Sequence, residues 1–150
     1  MGDAVRKASS LFREGLACSE SVLMGFADAN GISSEIIPRI ATGFAGGIGR
    51  RGSVCGALAG AIMAMGLEYG RNRIGDSSAF DLCVAKSSEC YKMFEKEFGS
   101  VFCFDLIKCD LSTPQGRRIF QESGLREKNC ARYVEGTARM LLGLAERSDR

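Results

Sequence analysis

Seven cysteines in a chain of 150 residues without a single histidine set the chemistry open to this protein. The lack of histidine removes Ser-His-Asp and Cys-His nucleophilic pairs, imidazole proton shuttles and histidine-ligated zinc or haem. Cysteine thiolates remain as nucleophiles, metal ligands and redox groups. They stand at Cys18, Cys55, Cys83, Cys90, Cys103, Cys109 and Cys130, with no C-x-x-C pair among them. An odd count leaves at least one of them outside any intramolecular disulfide.

Two groupings give these thiols places to act. The stretch GFAGGIGRRGSVCG sets six glycines between Gly43 and Gly56 and leads into an apolar helix. Ser53 is suited to cap that helix, which puts Cys55 in its first turn. The free N–H groups there, the helix dipole and the nearby Arg50 and Arg51 predict a lowered thiol pKa. The competing account is a small buried hydrophobe. Cys18, Cys55 and Cys130 fall on inward-facing positions of three different helices, and Cys103 on a short turn. Such residues can converge in a bundle core, where four thiolates suit an iron–sulfur cluster or zinc. Burial for packing alone competes with this. Cys83 and Cys90 share one helix face about 10 Å apart, too far for a disulfide.

Gly47-Ile48-Gly49-Arg50-Arg51-Gly52 matches G-x-G-x-x-G, and Glu68 lies downstream of it. A dinucleotide site needs a strand before this loop and another ending at the acid. The segment before it reads as helix, which argues against that use. A milder reading makes the loop an anion site beside Arg50 and Arg51, against a plain solvated turn.

The elements that must position these residues are helices. Ala4, Ala8, Leu11, Gly15, Cys18, Val22 and Phe26 recur at steps of three and four, which predicts one helix from about Asp3 to Asp28. Ser33 or Ser34 can cap a second helix carrying Ile36, Ile37, Ile40 and Phe44. The third runs from about Ser53 to Tyr69, with Gly56, Gly60 and Ala64 spaced for close packing. The fourth runs from Asp76 or Ser77 to Gly99, with Phe80, Cys83, Ser87, Cys90 and Phe94 on one face. A short turn carries Cys103. Thr113-Pro114 opens another helix, and the last spans about Lys128 to Glu146 with Cys130, Val134, Ala138, Leu141 and Ala145 as its stripe. The fold expected is all-α: a single domain over residues 1–150, a compact bundle of about five to seven helices with a glycine-rich loop before the third.

A net charge of +2 with scattered basic residues excludes a nucleic-acid footprint. No apolar run reaches the roughly 20 residues that span a bilayer, so no membrane insertion is expected. The N-terminus has no apolar stretch fit for a signal peptide, and the expected location is the cytoplasm, where a disulfide framework is rare.

GFAGGIGRRGSVCGALAGAIMAMGLEYGR, together with ACSESVL, FGSVFCFDLIKCDLSTPQG and KNCARYVEG, resembles the C_GCAxxG_C_C family of redox-active proteins. The family's Cys-Gly-Ala-x-x-Gly motif is met by Cys55, Gly56, Ala57 and Gly60. The resemblance runs from about Cys18 to the C-terminus. It implies Cys18, Cys55, Cys103 and Cys130 as the functional set, with Cys109 as a fifth candidate and nothing for Cys83 or Cys90. Family members are often associated with prokaryotic transporter loci. The cysteine-bearing region is also distantly similar to split-Soret cytochrome c, a dimeric haem protein with an iron–sulfur site. This chain lacks histidine and C-x-x-C-H, so the haem does not carry over.

The expectation is a cysteine redox or metal-binding protein. In one version the four thiolates, with Cys109 as a spare or alternate ligand, hold an iron–sulfur cluster, or zinc, while Gly47, Gly49, Arg50 and Gly56 bring backbone N–H groups to the sulfurs. In another, Cys55 is the attacking thiol of a dithiol carrier, with a neighbour such as Cys18 resolving the mixed disulfide. A homodimer with an unspecified electron-transfer partner is expected in either case. The rival is a non-enzymatic helical adaptor with structurally buried cysteines.

Overall fold

The computed structural model describes residues 2–148. Its elements are α1 (Asp3–Glu14), α2 (Cys18–Ala29), α3 (Ile36–Thr42), α4 (Gly56–Tyr69), α5 (Ser77–Phe98), α6 (Cys103–Ile107) and α7 (Pro114–Glu122). A π turn (Arg126–Cys130) then runs directly into α8 (Ala131–Ser148). The all-α class matches the sequence reading. The eight α-helices among the described residues exceed the expected five to seven.

The additional helix arises at Gly15. The stripe from Ala4 to Phe26 reads as continuous, but Gly15 takes φ +121°, which only glycine adopts readily, and its N–H turns back to the Phe12 carbonyl at 3.2 Å. The chain reverses and α2 returns along α1. The two backbones touch at Gly25, where a Cβ would lie 2.8 Å from the Ala4 carbonyl oxygen. Cys18 therefore opens a helix instead of lying in the middle of one, and the glycine-rich loop precedes the fourth helix.

α4 is apolar on every side because it is the central helix, burying Ala57, Leu58, Ala61, Ala64 and Met65. Its small residues are filled from within the chain: a Cβ on Gly60 would meet the Ser19 carbonyl oxygen at 2.5 Å. Ser19 in turn donates from Oγ to the Ala41 carbonyl at 2.7 Å, tying α2 to α3. α8 closes the core with Val134, Ala138, Leu141 and Leu144. Phe98 packs edge-on against Phe94 and Tyr133, with ring centroids 4.8 and 5.0 Å away, and joins α5 to α8.

Only the second half of α5 is buried, at Cys90 and Phe94. Phe80, expected on the same buried face, is 45% exposed and lies under the Arg71 guanidinium. Among the described residues no helix is long and apolar enough to cross a membrane.

Candidate functional site

Cys18, Cys55, Cys103 and Cys130 line one cavity of about 660 Å³. Three of them stand where helices begin: Cys18 is the first residue of α2, Cys103 the first of α6, and Cys55 the N-cap of α4. The expected cap, Ser53, lies two residues earlier, so Cys55 precedes the first turn.

Cys55 and Cys103 are brought together by a short stretch of antiparallel pairing. Val54 bridges Phe102, the Cys55 N–H donates to the Val101 carbonyl at 2.8 Å, and the Cys103 N–H donates to Ser53 at 2.7 Å. Alternation along paired backbone puts Cys55 and Cys103 on one face and Val54 and Phe102 on the other. The first face is the chamber wall.

The glycine-rich loop folds over this pair. Gly46, Gly47, Ile48, Gly49 and Arg50 all have φ between +56° and +74°, a turn of left-handed backbone. Non-glycine residues visit this region as isolated exceptions. At Gly47 no side chain fits: a Cβ would sit 2.7 Å from the Cys103 Cβ and from Ser53 N. Gly46, Arg50 and Gly56 line the chamber, whereas Gly47 supports Cys103 from behind. The helix α3 precedes the loop, so the strand–loop–helix context of a dinucleotide fingerprint does not exist here.

The other pair comes from the two ends of the chain. The Cys18 and Cys130 thiols are neighbours, close enough for each to act on the other's ionisation. Arg126, one turn before Cys130, holds this arrangement. Its guanidinium donates to the carbonyls of Phe12 and Leu16, at 2.6 and 2.8 Å, and stacks 3.7 Å above the Phe12 ring. The π turn containing both residues widens the start of α8 where they face the chamber. Such turns recur at functional sites.

Burial is the largest influence on the Cys55 and Cys103 thiols. The lowered pKa expected at Cys55 is not found: loss of water, then the nearby Cys18, pushes this thiol up to about 12. The Ala57 and Leu58 amides pull the other way without prevailing. Cys103 is pushed up to about 12 by burial and by the surrounding thiols. Cys18 is raised well above its ordinary value by the neighbouring Cys130 thiol and by burial, against the opposing charge of Arg126. The sequence reading weighed the helix start and omitted desolvation.

Cys109 is buried behind the chamber wall, outside its lining, and its Sγ donates to the Gly116 carbonyl at 2.9 Å. Cys83 and Cys90 lie on α5, away from the chamber. Sequence reasoning missed Arg126, Arg117 and Tyr133, which also line it. The four-residue step from Arg126 to Cys130 was the available signal. Tyr133 donates from its hydroxyl to the Leu106 carbonyl at 3.0 Å, linking α8 to the helix that Cys103 begins.

The order and context of these cysteines match the family described as "Putative redox-active protein (C_GCAxxG_C_C)" across residues 16–144. The chain belongs to the C_GCAxxG_C_C family. In C_GCAxxG_C_C terms, the motif cysteine Cys55 caps α4, and the motif glycine Gly60 admits the α2 backbone just behind Cys18. An uncharacterized protein of Archaeoglobus fulgidus is 35% identical over 128 residues, covering 79% of this chain and 84% of its own length. No solved structure matches the chain.

The donor set suits some occupants better than others. A zinc ion would need its thiolates drawn in to about 2.3 Å around one point. Among the described residues no three Cys, Asp or Glu side chains are gathered closely enough to hold a single ion. Thiols spread around a chamber of about 660 Å³ suit a larger, polynuclear group.

Proposed function

We propose that this protein is an electron carrier whose Cys18, Cys55, Cys103 and Cys130 ligate an iron–sulfur cluster. The observation that carries the reading is that these four thiols, distant in sequence, line one chamber while the other three cysteines do not. When bound, such a cluster supplies one-electron chemistry at a potential set by its surroundings. The chain contributes the rest. The starts of α2 and α4 and the Arg126 guanidinium favour negative charge at the sulfurs. Phe12, Leu106 and Phe120 make part of the chamber wall apolar.

The high thiol pKa values accord with this reading. A thiol pushed to about 12 is a poor nucleophile at neutral pH, whereas a coordinating metal deprotonates thiols outright. The contact between Cys18 and Cys130 favours a second reading. In it these two thiols close to a disulfide, releasing two electrons and two protons to an acceptor disulfide. Both readings assign the protein to a reducing cytoplasm, where the free thiols persist.

Anaerobic purification followed by visible absorption, iron and sulfide analysis and thiol titration separates them. Brown protein with matching iron and sulfide supports the cluster. Colourless protein that loses two thiols reversibly on oxidation supports the dithiol carrier. Colourless protein with seven inert thiols overturns both.

A further inference from the structure

The chamber thiols are hard to reach. Cys55, Cys130 and Cys103 are 5, 7 and 8% exposed. A group that bonds to them arrives only when part of the wall moves. Local opening takes the segment that buries least apolar surface. Of the α-helices that line the chamber, α7 alone buries no side chain, and its one buried residue is Gly116. Arg117, Phe120 and Gln121, spaced three and four apart from the first, form its chamber face. Phe120 is half-buried and packs against the core, while Ile119 is 49% exposed.

The two ends of α7 are held differently. At its start backbone lies on backbone, and a Cβ on Gly116 would overlap the Asp110 carbonyl oxygen. The Cys109 thiol donates to the Gly116 carbonyl, and the Arg117 guanidinium to that of Leu111, both at 2.9 Å. Thr113 Oγ1 accepts from the Gly116 N–H at 2.9 Å. Beyond Arg117, the hydrogen bonds found among the described residues stay within the helix and the turn that ends it. Gly124 in that turn takes φ +67°, and a Cβ there would have no neighbour nearer than 3.6 Å. The first half of α7 is pinned, whereas the second half rests on the Phe120 ring.

We infer that α7 is a lid over the thiol chamber, pinned at Gly116 and hinged at Gly124, and that the thiols are reached when Phe120 and Gln121 lift away. The lid follows from the packing of α7; its admitting an iron–sulfur cluster rests on the reading above.

The test treats metal-free protein with dithiodipyridine and locates each modified cysteine by peptide mass spectrometry. Each thiolate attacks the reagent's S–S bond, a mixed disulfide forms, and one pyridinethione leaves. Cys55, Cys103 and Cys130 are expected to react at rates nearly independent of low urea, since lifting one short helix exposes little surface. Phe120→Ala should speed their reaction about ten-fold, the effect of losing a half-buried ring. Ile119→Ala should leave it unchanged. Cys90→Ala, which weakens the core on α5, lowers global stability. It should also leave the chamber thiols at the wild-type rate, because the lid opens without disturbing that site. An unchanged rate in Phe120→Ala, an equal rise in Ile119→Ala or Cys90→Ala, or a steep urea dependence overturns the lid.

Anaerobic addition of iron and sulfide to the same proteins tests the occupant separately. Phe120→Ala should take them up faster by the same factor, and uptake at the wild-type rate overturns the lid as the route of entry. Thiols gated by Phe120 in a protein that never takes up iron and sulfide keep the lid and overturn the cluster instead.

Discussion

Arg126 donates to the Leu16 carbonyl at 2.8 Å and so fastens the start of α8 to the corner between α1 and α2. That corner determines where Cys18 begins its helix, and Arg126 lies one turn from Cys130. The same guanidinium thus holds both ends of the Cys18–Cys130 contact. Arg126→Ala is expected to cost about 2 kcal/mol, the scale of charge-assisted hydrogen bonds in a partly buried setting. Arg126→Lys should recover little, since an ammonium lacks the planar fork that reaches two carbonyls and stacks on Phe12. Urea unfolding of both variants checks this, and a fully stable Arg126→Lys protein would contradict it.

The left-handed turn separates two causes of glycine dependence. Gly47 and Gly49 both have positive φ, but only Gly47 is crowded, whereas nothing lies within 4 Å of a Cβ on Gly49. Gly49→Ala should cost about 1 kcal/mol from backbone strain alone. Gly47→Ala adds a clash with Cys103 and should cost about 3 kcal/mol or prevent folding. Denaturation midpoints of the two variants give the comparison.

Cys90 offers a pH test away from the chamber. Burial, with Glu89 second, pushes its thiol up to about 11 from a model-compound value of 9.0. The raised pKa means that the unfolded chain loses this proton first as pH rises. Its stabilising contribution is complete below about pH 9 and lost progressively towards pH 11. Unfolding of Cys90→Ala should therefore show a shallower alkaline decline than the wild type. An identical decline would remove Cys90 from the cause.

Serine replacement distinguishes chamber thiols from the rest. On the cluster reading, Cys103→Ser should abolish visible absorption and iron binding in anaerobically purified protein. Cys109→Ser should keep both, because its hydroxyl can still donate to the Gly116 carbonyl. Loss of colour in both variants would bring Cys109 into the ligand set.

Most helix spans were legible because their signals are local. Thr113-Pro114 and Asp76 mark helix starts by capping chemistry, and both caps are present. The corner at Gly15 was hidden because Cys18, Val22 and Phe26 continue the phase of Ala4, Ala8 and Leu11 across the break. The pairing of the segments that carry Cys55 and Cys103 leaves no pattern, since they are too short to alternate and lie far apart in sequence. The left-handed turn was half legible: its glycines invite positive φ, but Ile48 and Arg50 follow only because loop and α6 packing impose it. The sign of the Cys55 shift depends on burial by other elements, which a local reading of one helix start omits.

The three helices that begin on cysteines carry a mechanical consequence. A helix is weakest at its first turn, where four N–H groups lack partners within it. Whatever grips Cys18, Cys55 and Cys103 together grips the first turns of α2, α4 and α6 at once. Loading the chamber is thereby also a tightening of the bundle, and its occupancy is written into the rate at which those first amides exchange with water.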